Sequence, residues 1–297
     1  MKSDIKSVQD VFLIEHEEKH AKHYAHLSVL RDIFSSLHQL LHTAIKENFP
    51  GTKSALKKIQ FFTMLMAIDE LNETMIVNLE QKRFSAAEAV ARVALEHTVN
   101  FLYVIDDTGT QRALSLLNQH FVGARARANK WHGYAQGAGD TEGVKVAKAR
   151  LQYLNLTEEV VPEVRNAKPW PNVRNIFQTL EIEHFYHDLF TPASDSVHTL
   201  AEDICNLFLA HFSNADQRDL VIRATISGKM SFAIYLCASV LTFYVDAIHK
   251  LAIEMKDDTM RVKAEELADA ANKVTLSMNT DTVSDILTTY PEASITQ

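Results

Sequence analysis

The 297-residue sequence predicts an all-α protein, and three observations carry that prediction. Glycine occurs eight times and proline six, so few positions interrupt regular structure. No alternating apolar/polar run of strand length stands out. Long segments instead repeat their apolar residues at the 3.6-residue period of a helix. The expected architecture is a multi-helix bundle in one domain, residues 1–274. Helices 84–107 and 229–256 belong at its centre, because their nearly continuous apolar composition needs partners on several sides.

A first helix is expected over residues 4–48, stopped by Pro50-Gly51, and a second over 52–82; they form an N-terminal helical pair, 1–82. Ser85-Ala86-Ala87-Glu88 has the form of a capping box behind Phe84 and opens a central helix that ends near Asp106-Asp107. A fourth helix covers 111–132. Four of the eight glycines then fall between 133 and 143, which predicts a flexible loop. A shorter helix, 144–154, precedes an irregular stretch with Pro162, Pro169 and Pro171, the last suited to the first turn of a helix through Glu181. After Pro192, Ser194 and Asp195 are good N-cap residues for a helix reaching about 212. Helices 229–256 and 259–273 complete a core region, 83–274. The Thr- and Ser-rich residues 275–297 are expected to be a flexible tail.

Hydrophobic content of 46% and charged content of 23% are ordinary for a globular chain. The N-terminus lacks the layout of a secretory signal, and the longest apolar run, 232–245, is too short to span a bilayer. Cys205 and Cys237 sit in apolar helical segments without metal-type spacing and read as reduced core thiols of a cytoplasmic protein. The net charge of −8 argues against a general nucleic-acid coat protein. The charge is uneven, however: between Arg112 and Arg174 ten Lys/Arg face five Asp/Glu. A basic middle is compatible with a phosphate-binding face, and with a solvated helix surface, the commoner arrangement. Within it, Arg125, Arg127, Lys130, Trp131 and His132 form a basic-aromatic group at a helix end. Such a group either touches RNA by charge and stacking or satisfies the helix dipole.

The most distinctive stretch is the central helix. Glu88, Arg92, Glu96 and Tyr103 fall within a narrow arc at about 100° per residue, bordered by Leu95, Val99 and Leu102. A charged stripe in an apolar setting must be paired. It is either a buried ion-pair lattice, with Arg92 bridging Glu88 and Glu96, or the polar floor of a site. The first helix carries His16, His20, His23, His26, His38 and His42 on or beside its apolar face. The pairs His16/His20 and His38/His42 have i,i+4 spacing suited to a divalent metal. Glu17-x-x-His20 is half of a bundle-type di-metal motif, and no second Glu-x-x-His with a convincing partner appears. Inter-helix hydrogen bonding is the favoured reading, so no metal and no other cofactor are expected.

Arg92-Val93-Ala94-Leu95-Glu96-His97 fits the Arg-x4-His form of the motif of HEPN ribonucleases. More specifically, Arg92 and Glu96, then Trp170, Tyr186 and Ser194-Asp195-Ser196-Val197-His198, follow the pattern of an uncharacterised bacterial family of HEPN-like α-helical proteins. The chain resembles that family over residues 84–208. The resemblance implies a homodimer in which an Arg and a His from two protomers flank a scissile phosphate without metal. His97 would then assist proton transfer at the ribose 2′-OH, and Arg92 would stabilise the pentavalent oxyanion.

Two departures stand beside it. Val93 occupies a position that is often polar in active members, and His97 lies about 140° around the helix from Arg92, on the face of Val90, Ala94 and Phe101. His97 as a core histidine therefore stays open. His198, in the first turn after a cap, would be kept neutral by the helix dipole and fit for base or phosphate-contact work. The candidate catalytic residues are Arg92, Glu96, His97, Tyr186 and His198, with Ser194, Arg125, Arg127, Lys130 and Trp131 as substrate contacts.

The expected function is a metal-independent HEPN-like ribonuclease or RNA-binding protein of bacterial defence or toxin type, without membrane association. The alternatives are a non-enzymatic helical interaction protein and, third, a metal-binding bundle using the first-helix histidines. There is no Walker-type loop, dinucleotide fingerprint, zinc-finger spacing or Gly-x-Ser-x-Gly elbow.

Overall fold

The computed structural model describes residues 2–198, 201–213 and 215–280, and no strand occurs among them. The helices are α1 (Lys2–Ala21), α2 (Leu27–Lys46), α3 (Ala55–Glu80), α4 (Phe84–Ile105), α5 (Gln111–Gly137) and α6 (Thr141–Val160). They continue as α7 (Val173–Thr179), α8 (Glu183–Phe185), α9 (Thr191–His198), α10 (Ala201–Phe212), α11 (Ala215–Met255) and α12 (Asp258–Thr280). The expected all-α multi-helix bundle is what the chain forms.

α11 is the axis of the bundle. It packs against α1, α2, α3, α4, α10 and α12, while α3 pairs with α4 and α2 closes the ring against α3 and α12. One continuous core runs from Leu27 to Met278, with Phe61, Phe101, Ile248 and Leu251 fully buried. α11 is long and apolar enough, by length and composition, to cross a membrane, but 78% of its most apolar stretch is buried inside the protein. The run expected at 232–245 thus belongs to a much longer helix, and a buried core helix is what it forms. α5 and α6 make an antiparallel arm with its own small core of Leu114, Phe121, Leu154 and Val164.

Several boundaries differ from expectation, each for a local reason. A 3-10 turn, Lys22–His26, interrupts the first helix. Gly133 and Gly137 lie inside α5, and the turn occupies only residues 138–140, closed by Asp140 accepting from the Gly143 backbone N–H. The glycine-rich loop therefore shrinks to a tight connection, because helix propagation along the arm outweighs the modest cost of each helical glycine. Ser85 does not cap α4: the helix begins at Phe84 with no side-chain cap, and Glu88 turns inward instead. Ser194 lies within α9 and donates to the Phe190 carbonyl, so it is not an N-cap either. Residues 275–280 continue α12, anchored by Val274 and Met278, where a flexible tail was expected from 275; 281–297 lie outside the described residues. Cys237 is buried as expected, whereas Cys205 is exposed. Gly51 marks a turn that needs glycine: φ is +108°, and a Cβ would meet the Glu254 carbonyl at the end of α11.

Candidate functional site

The polar stripe of α4 is split between two environments. Glu88, 2% exposed, faces α11, where the Lys229 ammonium lies 3.6 Å from its carboxylate. Burial, then the Glu88 charge, pushes the Cys237 thiol well above its usual range, so this cysteine is an inert core thiol. Arg92 does not bridge Glu88 and Glu96, as the lattice reading required. It points the other way, its Nη1 donating to Glu96 at 2.7 Å and its Nε to the Ser194 hydroxyl at 3.1 Å. The guanidinium lies over the Phe190 ring, its Cζ 3.2 Å from the centroid. Charge, hydroxyl and π-face thus come from α4, α9 and the π-helical turn Tyr186–Phe190 that leads into α9.

That turn is the local device that builds the cluster. Tyr186 stacks on Phe190 at 5.3 Å, both rings lean on Phe177 of α7, and the Thr191 hydroxyl donates to the Tyr186 carbonyl. π-turns of this kind are frequent at functional positions. Tyr186 also lines a shallow depression with Asn172, Arg174, Asn175 and Gln178. Arg92 is 14% exposed and Glu96 39%, so the cluster reaches solvent through the carboxylate rather than the guanidinium.

The structure therefore brings Arg92, Glu96 and Ser194 together and sets Tyr186 beside them through Phe190. His97 is half-buried on α4 and forms no hydrogen bond or ring contact with that cluster among the described residues. The side chain of His198 lies outside the described residues. Tyr103, the fourth member of the stripe, is held between the Arg112 guanidinium, 4.1 Å from its ring, and the edge of Trp170. Both aromatic landmarks thus fix the end of α4 against the segment before α7.

The arm carries the other expected contacts. Arg125 pairs with Glu158 and Asn155 across α5 and α6, so it holds the hairpin together. Arg127, Lys130 and Trp131 are exposed, and Trp131 stacks with Tyr134 at 5.8 Å. His16 lies against Gly228 of α11, Glu17 is engaged by Arg223 of the same helix, and the His20 ring packs on His16 and His23. His23 bonds Ser231, and His26 bonds Ser277 of α12. Inter-helix hydrogen bonding does account for these two histidines. Phe190 and Lys229 went unforeseen. A lysine opening an apolar helix was a readable hint, whereas Phe190 left no signal above its apolar neighbours.

A second cavity, of about 340 Å³, lies between α11 and α12 and is lined by Phe185, Tyr235, Phe243, Asp246 and Asn272 among others. Burial raises the Asp246 carboxyl above its usual range, against the opposing effects of Lys250 and His249.

Residues 58–217, more than half of the chain, match the profile of a family of unknown function, DUF5677. The chain belongs to that family. Comparison with curated proteins gave no match, and neither did comparison with solved structures.

Proposed function

We propose that this member of the DUF5677 family is an RNA-binding helical protein, the binding form of the HEPN-like reading, and that the arm of α5 and α6 is its RNA-contacting surface. The observation that carries it is the stacked pair Trp131 and Tyr134, 47% and 68% exposed, on a helix that also exposes Arg127 and Lys130. Lys145, Lys148 and Arg150 are exposed on the neighbouring helix. Exposed aromatics beside cations suit single-stranded RNA, since every base offers a π-face worth about 1–3 kcal/mol and every phosphate a charge. With a net charge of −8 on the whole chain, attraction to a polyanion depends on a local cationic surface such as this one.

Cleavage is the weaker half of the HEPN-like reading. It needs Arg92 to reach a phosphate and His97 of a second copy to reach the same phosphate, in a homodimer. Arg92 is instead committed to Glu96, Ser194 and Phe190, which favours a positioning role for it. A bacterial defence or toxin setting belongs to the same proposal. A second reading, the helical interaction protein, draws support from α10, which exposes Ile204, Leu207, Phe208 and Phe212.

The test is fluorescence anisotropy with labelled single-stranded and hairpin RNA over a salt series, with the RNA then run on a denaturing gel. Single strands should bind better, with affinity falling steeply as salt rises. Absence of salt-dependent binding by the wild-type protein removes the reading, and cleavage products would restore its catalytic half.

A further inference from the structure

We propose that His38, His42 and Asp69 form a binding site for one divalent first-row transition-metal ion, with zinc as the best-matched occupant. The site shares no residue with the Arg92 cluster or with the arm, so it stands independently of the RNA proposal.

The i,i+4 step along α2 sets the two imidazoles side by side, their ring centroids 4.2 Å apart. Asp69 of α3 meets them from the facing helix. Its Oδ2 lies 2.7 Å from His38 Nδ1 and 4.0 Å from His42 Nε2. Donor atoms of the three residues all lie within 4.8 Å of one another, the one such group of three among the described residues. Ligands held about 2.1 Å from a common ion are separated from one another by roughly 3–3.5 Å. The two separations to Asp69 bracket that range, and side-chain rotation within the 4.8 Å cluster would draw the three donors onto one ion.

The remaining features follow the logic of an open metal centre. Two imidazoles and one carboxylate leave further coordination positions for water, as in catalytic zinc sites and two-His-one-carboxylate iron sites. The open side exists: the imidazoles are 45% and 39% exposed, while the Asp69 side chain is 3% exposed. The second oxygen of Asp69 accepts from the Tyr244 hydroxyl of α11 at 3.0 Å. That is the outer-shell bond that orients a ligating carboxylate.

The experiment uses the untagged full chain, stripped with chelator and titrated with Zn2+ by calorimetry, with Co2+ absorption as a second readout. One equivalent of Zn2+ should bind, and Co2+ should give d–d bands. His38→Ala and His42→Ala, both at solvent-exposed side chains, should each weaken binding at least ten-fold while keeping the wild-type helical circular dichroism. Tyr244→Phe should keep the one-to-one stoichiometry and weaken affinity about ten-fold. His20→Ala should change neither. No saturable Zn2+ binding by the wild-type chain overturns the proposal. So does an equivalent of Zn2+ retained unchanged by the His38→Ala/His42→Ala double variant.

Discussion

The interior of the bundle and the arm of α5 and α6 use the same charged residue types to opposite ends. Inside, Glu88 and Lys229 join two apolar helices, and Arg92 is clamped by Glu96, Ser194 and Phe190. On the arm, Arg127, Lys130, Lys148 and Arg150 stand in solvent, as do Trp131 and Tyr134. A charge held in low dielectric is committed to its partner, because losing that partner strands a desolvated ion. A charge in water gives up little when it exchanges a hydrated counterion for a phosphate. Residue type alone therefore does not separate scaffold from binding surface; burial does.

The sharpest way to break this contrast is Lys229→Met. Removing the ammonium beside buried Glu88 should cost on the order of 3–5 kcal/mol, a melting-temperature drop of roughly 10 °C. Adding Glu88→Gln should recover most of it. A Lys229→Met melt within 2 °C of wild type would show that the pair holds nothing in place. Next comes Arg92→Ala, which loses the ring stack and two hydrogen bonds at a site partly open to water. The expected cost is about 1–3 kcal/mol, with RNA affinity unchanged. Loss of RNA binding in a folded Arg92→Ala protein would move Arg92 from the scaffold to the substrate.

The arm should behave in the reverse manner. Lys130→Ala/Trp131→Ala should shift stability by less than about 0.5 kcal/mol while weakening single-stranded RNA binding at least ten-fold. Equal affinity for both proteins would locate the RNA surface elsewhere. The smallest effect belongs to Asp246, beside the cavity between α11 and α12. Its folded carboxyl titrates above the ordinary 3.8, so the folded state holds this proton more tightly than the unfolded chain does. Stability therefore falls as pH rises from 3.8 through the raised folded value. Asp246→Asn should flatten that slope and raise the melting temperature slightly at neutral pH; urea melts between pH 4 and 7 measure it.

The residues that were hardest to read share one cause. The Glu88–Arg92–Glu96 stripe was legible because i,i+4 spacing is local, and it announced that charges would be paired. Which partner each took was not local: Glu88 found Lys229 and Arg92 found Ser194, both more than a hundred residues away in the chain. The His38/His42 pair was equally legible as an i,i+4 step. Asp69 was one of three acids close together in α3, beside Glu70 and Glu73, and only helix packing brings it to the imidazoles and to Tyr244. The expected caps at Ser85 and Ser194 failed for a related reason. Capping competes with packing, and both serines lie where the helices run on through them to bury neighbouring residues.

Apolar periodicity, scarce glycine and scarce proline determined by themselves that this chain is an all-α bundle with the segments 84–107 and 229–256 inside it. They also determined that the middle of the chain is basic and that charges run along α4. Tertiary structure alone decided which of those charges are sealed, which are open, and which histidines meet a carboxylate. The helical period fixes the face of a side chain from its near neighbours. The partner on the opposite face is fixed by how whole helices dock, which depends on apolar area summed over the entire core.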